Sequence, residues 1–117
     1  MAMTVSSSKA KHLLDVAYRD GLTVLVRDYS TRGGEYVIEV SRSFDPSDVE
    51  QYRQAERDTW NALSLVPVTK PGSTWGSTSD NVGGHAALMN GRMYLCKSGV
   101  SVRFAKALIR LLGGNVA

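Results

Sequence analysis

Three basic residues, Arg103, Lys106 and Arg110, recur at steps of three and four near the end of the chain. In a helix, these steps place side chains on one face. Lys97 and Arg92 precede them, and no acidic residue lies among the five in sequence. Such a row suits the phosphates of a nucleic-acid backbone, because each contact neutralises a charge and releases a counterion. The sequence therefore predicts a polyanion-binding surface, and a solvated basic face is the alternative interpretation.

Aromatic residues would add the base stacking that single-stranded nucleic acid requires beside a cationic track. Trp75 lies in a polar, glycine-bounded segment and Tyr94 lies in a predicted strand, so both are candidates. Arg32, at the tip of a predicted hairpin, could reach a phosphate. Packing in the core is the alternative role for each aromatic residue. The predicted nucleic-acid-binding residues are Arg32, Trp75, Arg92, Tyr94, Lys97, Arg103, Lys106 and Arg110.

No residue pattern points to catalysis or to a bound cofactor. His12 and His85 stand beside no nucleophile and in no metal-ligand spacing. Cys96 is the single cysteine and ends an apolar strand pattern, which indicates an inert buried thiol. Asp45 and Asp48 resemble paired carboxylates, but the start of a helix explains them. We therefore expect a non-enzymatic protein that needs no metal ion and no cofactor.

Charge is distributed unevenly along the 117 residues, whose net charge is +3. Residues 1–58 hold eight basic and ten acidic residues, a balance of −2, whereas residues 59–117 hold six basic and one acidic residue, a balance of +5. This asymmetry favours an anionic partner. One cysteine excludes an internal disulfide and fits a reducing cytoplasm. No apolar run approaches the roughly 20 residues that cross a membrane, so no membrane partner is expected.

The elements that must position these residues form one predicted α+β domain over residues 1–117, in the order α-ββ-α-loop-ββ-α, with helices packed on an antiparallel sheet. Residues 1–8 are expected to be disordered, a first helix covers about residues 9–20, and a hairpin covers residues 22–40. Asp45 and Pro46 predict the start of a second helix that ends near Leu63. Residues 69–84 form a long loop, and residues 85–96 form a second hairpin. Ser101 caps a last helix over residues 102–112.

The small size, the basic second half and one short stretch carry a resemblance to known proteins. The stretch reads Lys97-Ser98-Gly99-Val100-Ser101-Val102-Arg103-Phe104. In these respects the chain resembles small phage-encoded single-stranded DNA-binding transcription cofactors. The resemblance implies binding of melted DNA near promoters, recruitment of an RNA polymerase and a location in the host cytoplasm, and it assigns no role to an individual residue.

Two classes of function remain open from the sequence. The first is a non-catalytic protein that binds single-stranded nucleic acid, with DNA favoured. The second is a small protein-interaction module, such as a phage inhibitor or adaptor that docks on an acidic surface of a host protein. A homodimer is expected in the first case, because exposed hairpin edges invite pairing and a doubled basic face raises avidity.

Overall fold

Single helices alternate with pairs of strands along the chain, in the order that the sequence predicts. The structure is a computed structural model, and it describes residues 4–28, 36–69, 72, 74–76 and 91–113. The elements are α1 (Val5–Arg19), β1 (Thr23–Asp28), β2 (Tyr36–Ser43), α2 (Val49–Leu63), β3 (Thr74–Gly76), β4 (Arg92–Lys97) and α3 (Val102–Leu111). This succession confirms the predicted α+β class and the predicted order. Every helix in the described ranges is too short or too polar to span a membrane.

Helix α1 begins earlier than its apolar pattern predicts. The Thr4 side chain accepts a hydrogen bond from the backbone amide of Ser7 at 3.0 Å, and so satisfies one donor that the first helical turn leaves unpaired. Residues 5–8 are therefore helical, and the prediction that they are disordered was wrong. Gly21 follows the helix with φ of 70°, a left-handed conformation that redirects the chain into β1.

The strands form one antiparallel sheet in the order β1-β2-β4-β3. The first predicted hairpin is confirmed, since Val26 of β1 pairs with Ile38 of β2. Strand β2 also pairs with β4, where Val40 lies opposite Leu95. β1 and β3 therefore lie at the two edges of the sheet.

The described helices pack on a single face of this sheet. Each helix contributes to one core with the inward-facing strand residues. Its fully buried large side chains include Leu13 of α1, Leu63 of α2, Phe104 of α3, and Val26, Ile38, Val40 and Leu95 of the strands. Side chains alternate between faces along a strand, so Glu39, Ser41 and Tyr94 belong to the opposite face. The sheet thus separates the helical layer from the face that carries Tyr94.

The cap of helix α2 lies three residues later than the predicted cap at Asp45. Asp48 is its N-cap, and one of its carboxylate oxygens accepts hydrogen bonds from two backbone amides of the first turn at 3.0 and 3.2 Å. Asp45 instead accepts hydrogen bonds from the backbone amide and hydroxyl of Ser47, which hold the pKa of Asp45 below its ordinary value. Pro46 therefore lies in a turn before the helix. The end at Leu63 is as predicted.

Strand β3 lies within the segment that was predicted to be a loop. Trp75 pairs with Cys96 of β4, so the prediction of an uninterrupted loop over residues 69–84 was wrong at residues 74–76. Gly76 permits this pairing, because a Cβ atom there would collide with the carbonyl oxygen of Tyr94. The predicted strand over residues 85–89 and the hairpin tip with Arg32 lie outside the described residues.

Candidate nucleic-acid interface

Helix α3 separates an apolar face from a cationic face, as its sequence predicts. The Ser101 side chain caps the helix by accepting a hydrogen bond from the backbone amide of Phe104 at 3.4 Å. Arg103, Lys106 and Arg110 are exposed on the solvent side. The residues buried against the core are Phe104, Ala105, Ala107 and Leu108. Burial of the apolar face therefore fixes the direction in which the three cations point.

These cations and the start of α1 line one groove, termed here the α3 groove. Its volume is about 500 Å³, and it is lined by Thr4, Val5, Ser6, Arg103, Lys106 and Arg110. The backbone amides in the first turn of a helix carry partial positive charge. The α3 groove thus combines three cationic side chains with the positive end of the α1 dipole.

The cations of the α3 groove have no carboxylate partner in the described part of the chain. Five other basic side chains are each paired with an acid. The five described ion pairs are Lys11–Asp15, Arg19–Asp20, Arg27–Glu39, Arg42–Asp58 and Arg53–Glu50. A neighbouring carboxylate offsets much of the field of a paired cation. Among the described residues, no carboxylate therefore compensates the positive potential of the α3 groove in this way.

Lys97 does not line the α3 groove and has partners of its own. Its Nζ donates hydrogen bonds to the carbonyl oxygen of Leu63, the last residue of α2, at 3.4 Å and to that of Val66, just beyond the helix, at 3.2 Å. Burial lowers the pKa of Lys97 below the ordinary value of a lysine. The ammonium group therefore offsets the negative end of α2, and the structure does not bring it into the predicted cationic row.

Arg92 and Tyr94 lie on the sheet face opposite the helices. Arg92 donates a hydrogen bond to the Oγ atom of Ser41 at 2.7 Å. Tyr94 is half-buried, and Trp75 lies in the neighbouring edge strand. The structure therefore separates Arg92 and Tyr94 from the α3 groove, although the sequence suggested one continuous surface. The predicted contribution of Arg32 lies outside the described residues.

Cys96 lacks the features of a reactive thiol. It is 4% exposed, and its Sγ donates a hydrogen bond to Oε1 of Glu39 at 3.7 Å. Burial, followed by the charge of Glu39, raises the pKa of Cys96 to about 11, because both disfavour the thiolate. Within the described ranges, no three His, Cys, Asp or Glu side chains are grouped so that they could hold a metal ion.

Three groove residues, Thr4, Val5 and Ser6, were missed by sequence reasoning. The segment has no apolar periodicity and was therefore predicted to be disordered. One signal could have found it, because a threonine directly before a run that leads into a helix is a typical N-cap. Recognising that cap would have extended α1 by about one turn and placed its amino end on a folded element.

Comparison with known proteins assigns no family. No protein-family model, no curated protein and no solved structure matches the chain. The described residues define the class by structure instead: an α+β protein with helices on one face of a four-stranded antiparallel sheet and a cationic groove lined by α1 and α3. Function is therefore inferred from the chemistry of that groove.

Proposed function

We propose that this chain is a non-catalytic nucleic-acid-binding protein that favours single-stranded DNA and holds phosphates on Arg103, Lys106 and Arg110. One observation carries the proposal: these exposed cations line one wall of the α3 groove and have no carboxylate partner among the described residues. A phosphate supplies the missing countercharge. Each contact also releases ions that had condensed on the nucleic acid, which favours binding.

The row of cations has the length of a short stretch of one strand. At a rise of about 1.5 Å per residue, Arg103 and Lys106 are about 4.5 Å apart along the axis of α3, and Arg110 follows about 6 Å further on. Along the axis of one stacked strand, the phosphates advance by about 3.4 Å per nucleotide. The row therefore faces about three phosphates of a single backbone. One row of cations can follow the backbone of one strand, whereas a duplex presents two backbones.

The α1 wall of the groove adds two kinds of contact. Val5 is 71% exposed and offers an apolar surface to a sugar or a base. The Ser7 amide is bonded to Thr4, and the earlier backbone amides of α1, those of Val5 and Ser6, favour an anion because they point out of the helix. A strand in the α3 groove would therefore touch two helices at once.

The finer role that we propose is that of a phage transcription cofactor that recruits an RNA polymerase to melted DNA. Its support is the resemblance carried by the small size, the basic second half and residues 97–104. The proposal includes a homodimer, for which β1 offers an outer edge that pairs with no strand of the described residues. Two α3 grooves acting on one strand would raise avidity without any new contact.

Fluorescence anisotropy with labelled oligonucleotides tests the proposal. Single-stranded and double-stranded oligonucleotides of equal length are titrated with the protein at salt concentrations from about 50 to 200 mM. Tighter binding of the single strand that persists at about 200 mM salt is the expected result. Absence of binding at about 50 mM salt would refute nucleic-acid binding. Tighter binding of the duplex would refute the preference for single strands.

A second candidate function is docking of an acidic protein segment in the same groove, as expected for a phage inhibitor or adaptor. Val5 and Val102 favour it, because they are 71% and 49% exposed and apolar anchors contribute strongly to protein interfaces. A competitor peptide with as many carboxylates as the oligonucleotide has phosphates separates the two candidates. If the peptide displaces the oligonucleotide at equal concentration, and Val5→Ser weakens the peptide more than Arg103→Ala does, the protein partner is favoured.

A further inference from the structure

A second groove borders α1 beyond the α3 groove and is termed here the α1 groove. Its volume is about 330 Å³, and it is lined by Lys9, His12, Ser64, Leu65, Val66 and Pro67. Lys9 and His12 are exposed. Neither side chain forms an ion pair or a hydrogen bond with a described residue. The α1 groove therefore presents one ammonium and one imidazole group to solvent.

The two grooves have neighbouring lining residues on both of their walls. On α1, Val5 of the α3 groove and Lys9 of the α1 groove are about 6 Å apart along the helix axis, close to one turn. On the other wall, the carbonyl oxygen of Pro67 accepts a hydrogen bond from the backbone amide of Ser101 at 3.0 Å. Arg103, in the α3 groove, follows two residues after Ser101. The grooves therefore lie next to each other rather than on separate surfaces.

Lys97 makes the α1 groove more favourable to an anion. The carboxyl end of a helix carries partial negative charge, and α2 ends beside this groove. The Nζ atom of Lys97 bonds the carbonyl oxygens of Leu63 at 3.4 Å and Val66 at 3.2 Å, and Val66 itself lines the groove. Lys97 is thus a positioning residue, because it acts through α2 and lines neither groove.

We propose that the α1 groove is a second part of the nucleic-acid site, in which Lys9 and His12 bind phosphates of a strand that continues from the α3 groove. The proposal rests on the proposed function and adds the length of strand that the protein recognises. A short oligonucleotide fills the α3 groove alone, whereas a longer one also reaches Lys9 and His12. The imidazole of His12 can donate an N–H hydrogen bond to a phosphate oxygen.

The test measures the affinity of the full chain and of the variant Lys9→Ala/His12→Ala for oligothymidylates of about 4 and about 12 nucleotides. Alanine maintains the helical propensity of α1. For the longer oligonucleotide, loss of the Lys9 contact should weaken binding about 5-fold at about 100 mM salt. It should also make the slope of log affinity against log salt concentration shallower by about 0.7. The shorter oligonucleotide should bind both proteins equally.

Lys11→Ala is the matched control. Lys11 is an exposed lysine of the same helix, it pairs with Asp15 at 2.9 Å, and it lines neither groove. Its removal should change the affinities for the shorter and the longer oligonucleotide by less than about 2-fold each. If α1 melts in the double variant, Lys9→Gln/His12→Gln replaces it, because glutamine removes the charge and keeps a long polar side chain at each position.

Three results would overturn the proposal: an unchanged affinity for the longer oligonucleotide, an equal loss for both lengths, or an equal loss in Lys11→Ala. The last two would show that Lys9 contributes only to the general field of the protein. Failure of the proposed function is distinguishable, because the unaltered chain would then bind neither oligonucleotide.

Discussion

Simultaneous replacement of Arg103, Lys106 and Arg110 by alanine removes the cationic wall of the α3 groove. All three side chains are exposed, and the cap and buried face of α3 remain. Alanine is the best helix former, so we expect the free energy of unfolding to change by less than about 1 kcal/mol. The triple variant should therefore lose binding while it keeps its fold.

The size of that loss follows from the number of cations. Each phosphate contact on a single strand contributes about −0.7 to the slope of log affinity against log salt concentration, so three contacts give about −2.1. The unaltered chain should therefore bind about 20-fold more weakly at about 200 mM than at about 50 mM salt. When the salt concentration falls from about 1 M to about 100 mM, the three contacts raise the affinity about 100-fold. The triple variant should lose about that factor, and its slope should be shallower by about 2.

Anisotropy with a single strand of about 4 nucleotides, which fills the α3 groove alone, measures both quantities. The control variant is Lys11→Ala/Arg53→Ala/Arg57→Ala, which lowers the net charge by the same three units at exposed positions outside both grooves. It should lose less than about 3-fold in affinity at about 100 mM salt. Equal losses in the two triple variants would contradict a phosphate site in the α3 groove, because binding would then follow net charge rather than position. Urea unfolding of both variants verifies that structure is retained.

Three further predictions concern the fold. Arg42→Met removes the hydrogen bond that the largely buried carboxylate of Asp58 accepts at Oδ2 from Arg42 at 3.0 Å. Urea unfolding should therefore show a free energy of unfolding that is lower by about 2 kcal/mol. An unchanged free energy of unfolding would contradict this prediction. Asp48→Ala removes the cap of α2 and should cost about 1 kcal/mol in the same assay, with a smaller cost for Asp45→Ala; the reverse order would identify Asp45 as the cap. At about pH 8, Cys96 should react with iodoacetamide about 100-fold more slowly in the folded than in the urea-unfolded chain, because its pKa is about 11 instead of the ordinary 9.0. Since the folded thiol has the higher pKa, its contribution to stability is present below about pH 9 and is lost as the pH rises toward about 11; equal reaction rates would contradict the burial of Cys96.

Elements with local signals were predictable from the sequence. Helix α3 is confirmed with its cap at Ser101, because the capping residue and the apolar face lie within a few turns of each other. The hairpin of β1 and β2 is confirmed for the same reason. Strand β3 was missed because its stabilisation comes from β4, where Trp75 pairs with Cys96 across a long sequence separation. A polar three-residue strand has no periodicity of its own that could predict it.

The candidate site was predictable only along its helix. The spacing of Arg103, Lys106 and Arg110 correctly indicated one exposed face. Proximity in sequence failed for Lys97 and Arg92, because side chains alternate between faces along β4 and these two belong to opposite faces. The α1 wall of the groove depends on packing between elements at opposite ends of the chain, which no local pattern encodes.

That long separation also has a kinetic consequence. The α3 groove forms only when Ser6 and Arg103, nearly the whole described chain apart, are brought together by the packing of α1 on α3. Contacts of such long range are slow to form, because closure of the intervening chain must precede them. A partial opening that released α1 would abolish the groove while the sheet remained paired. During synthesis α1 emerges well before α3, so the groove cannot assemble on a nascent chain that still lacks its last helix.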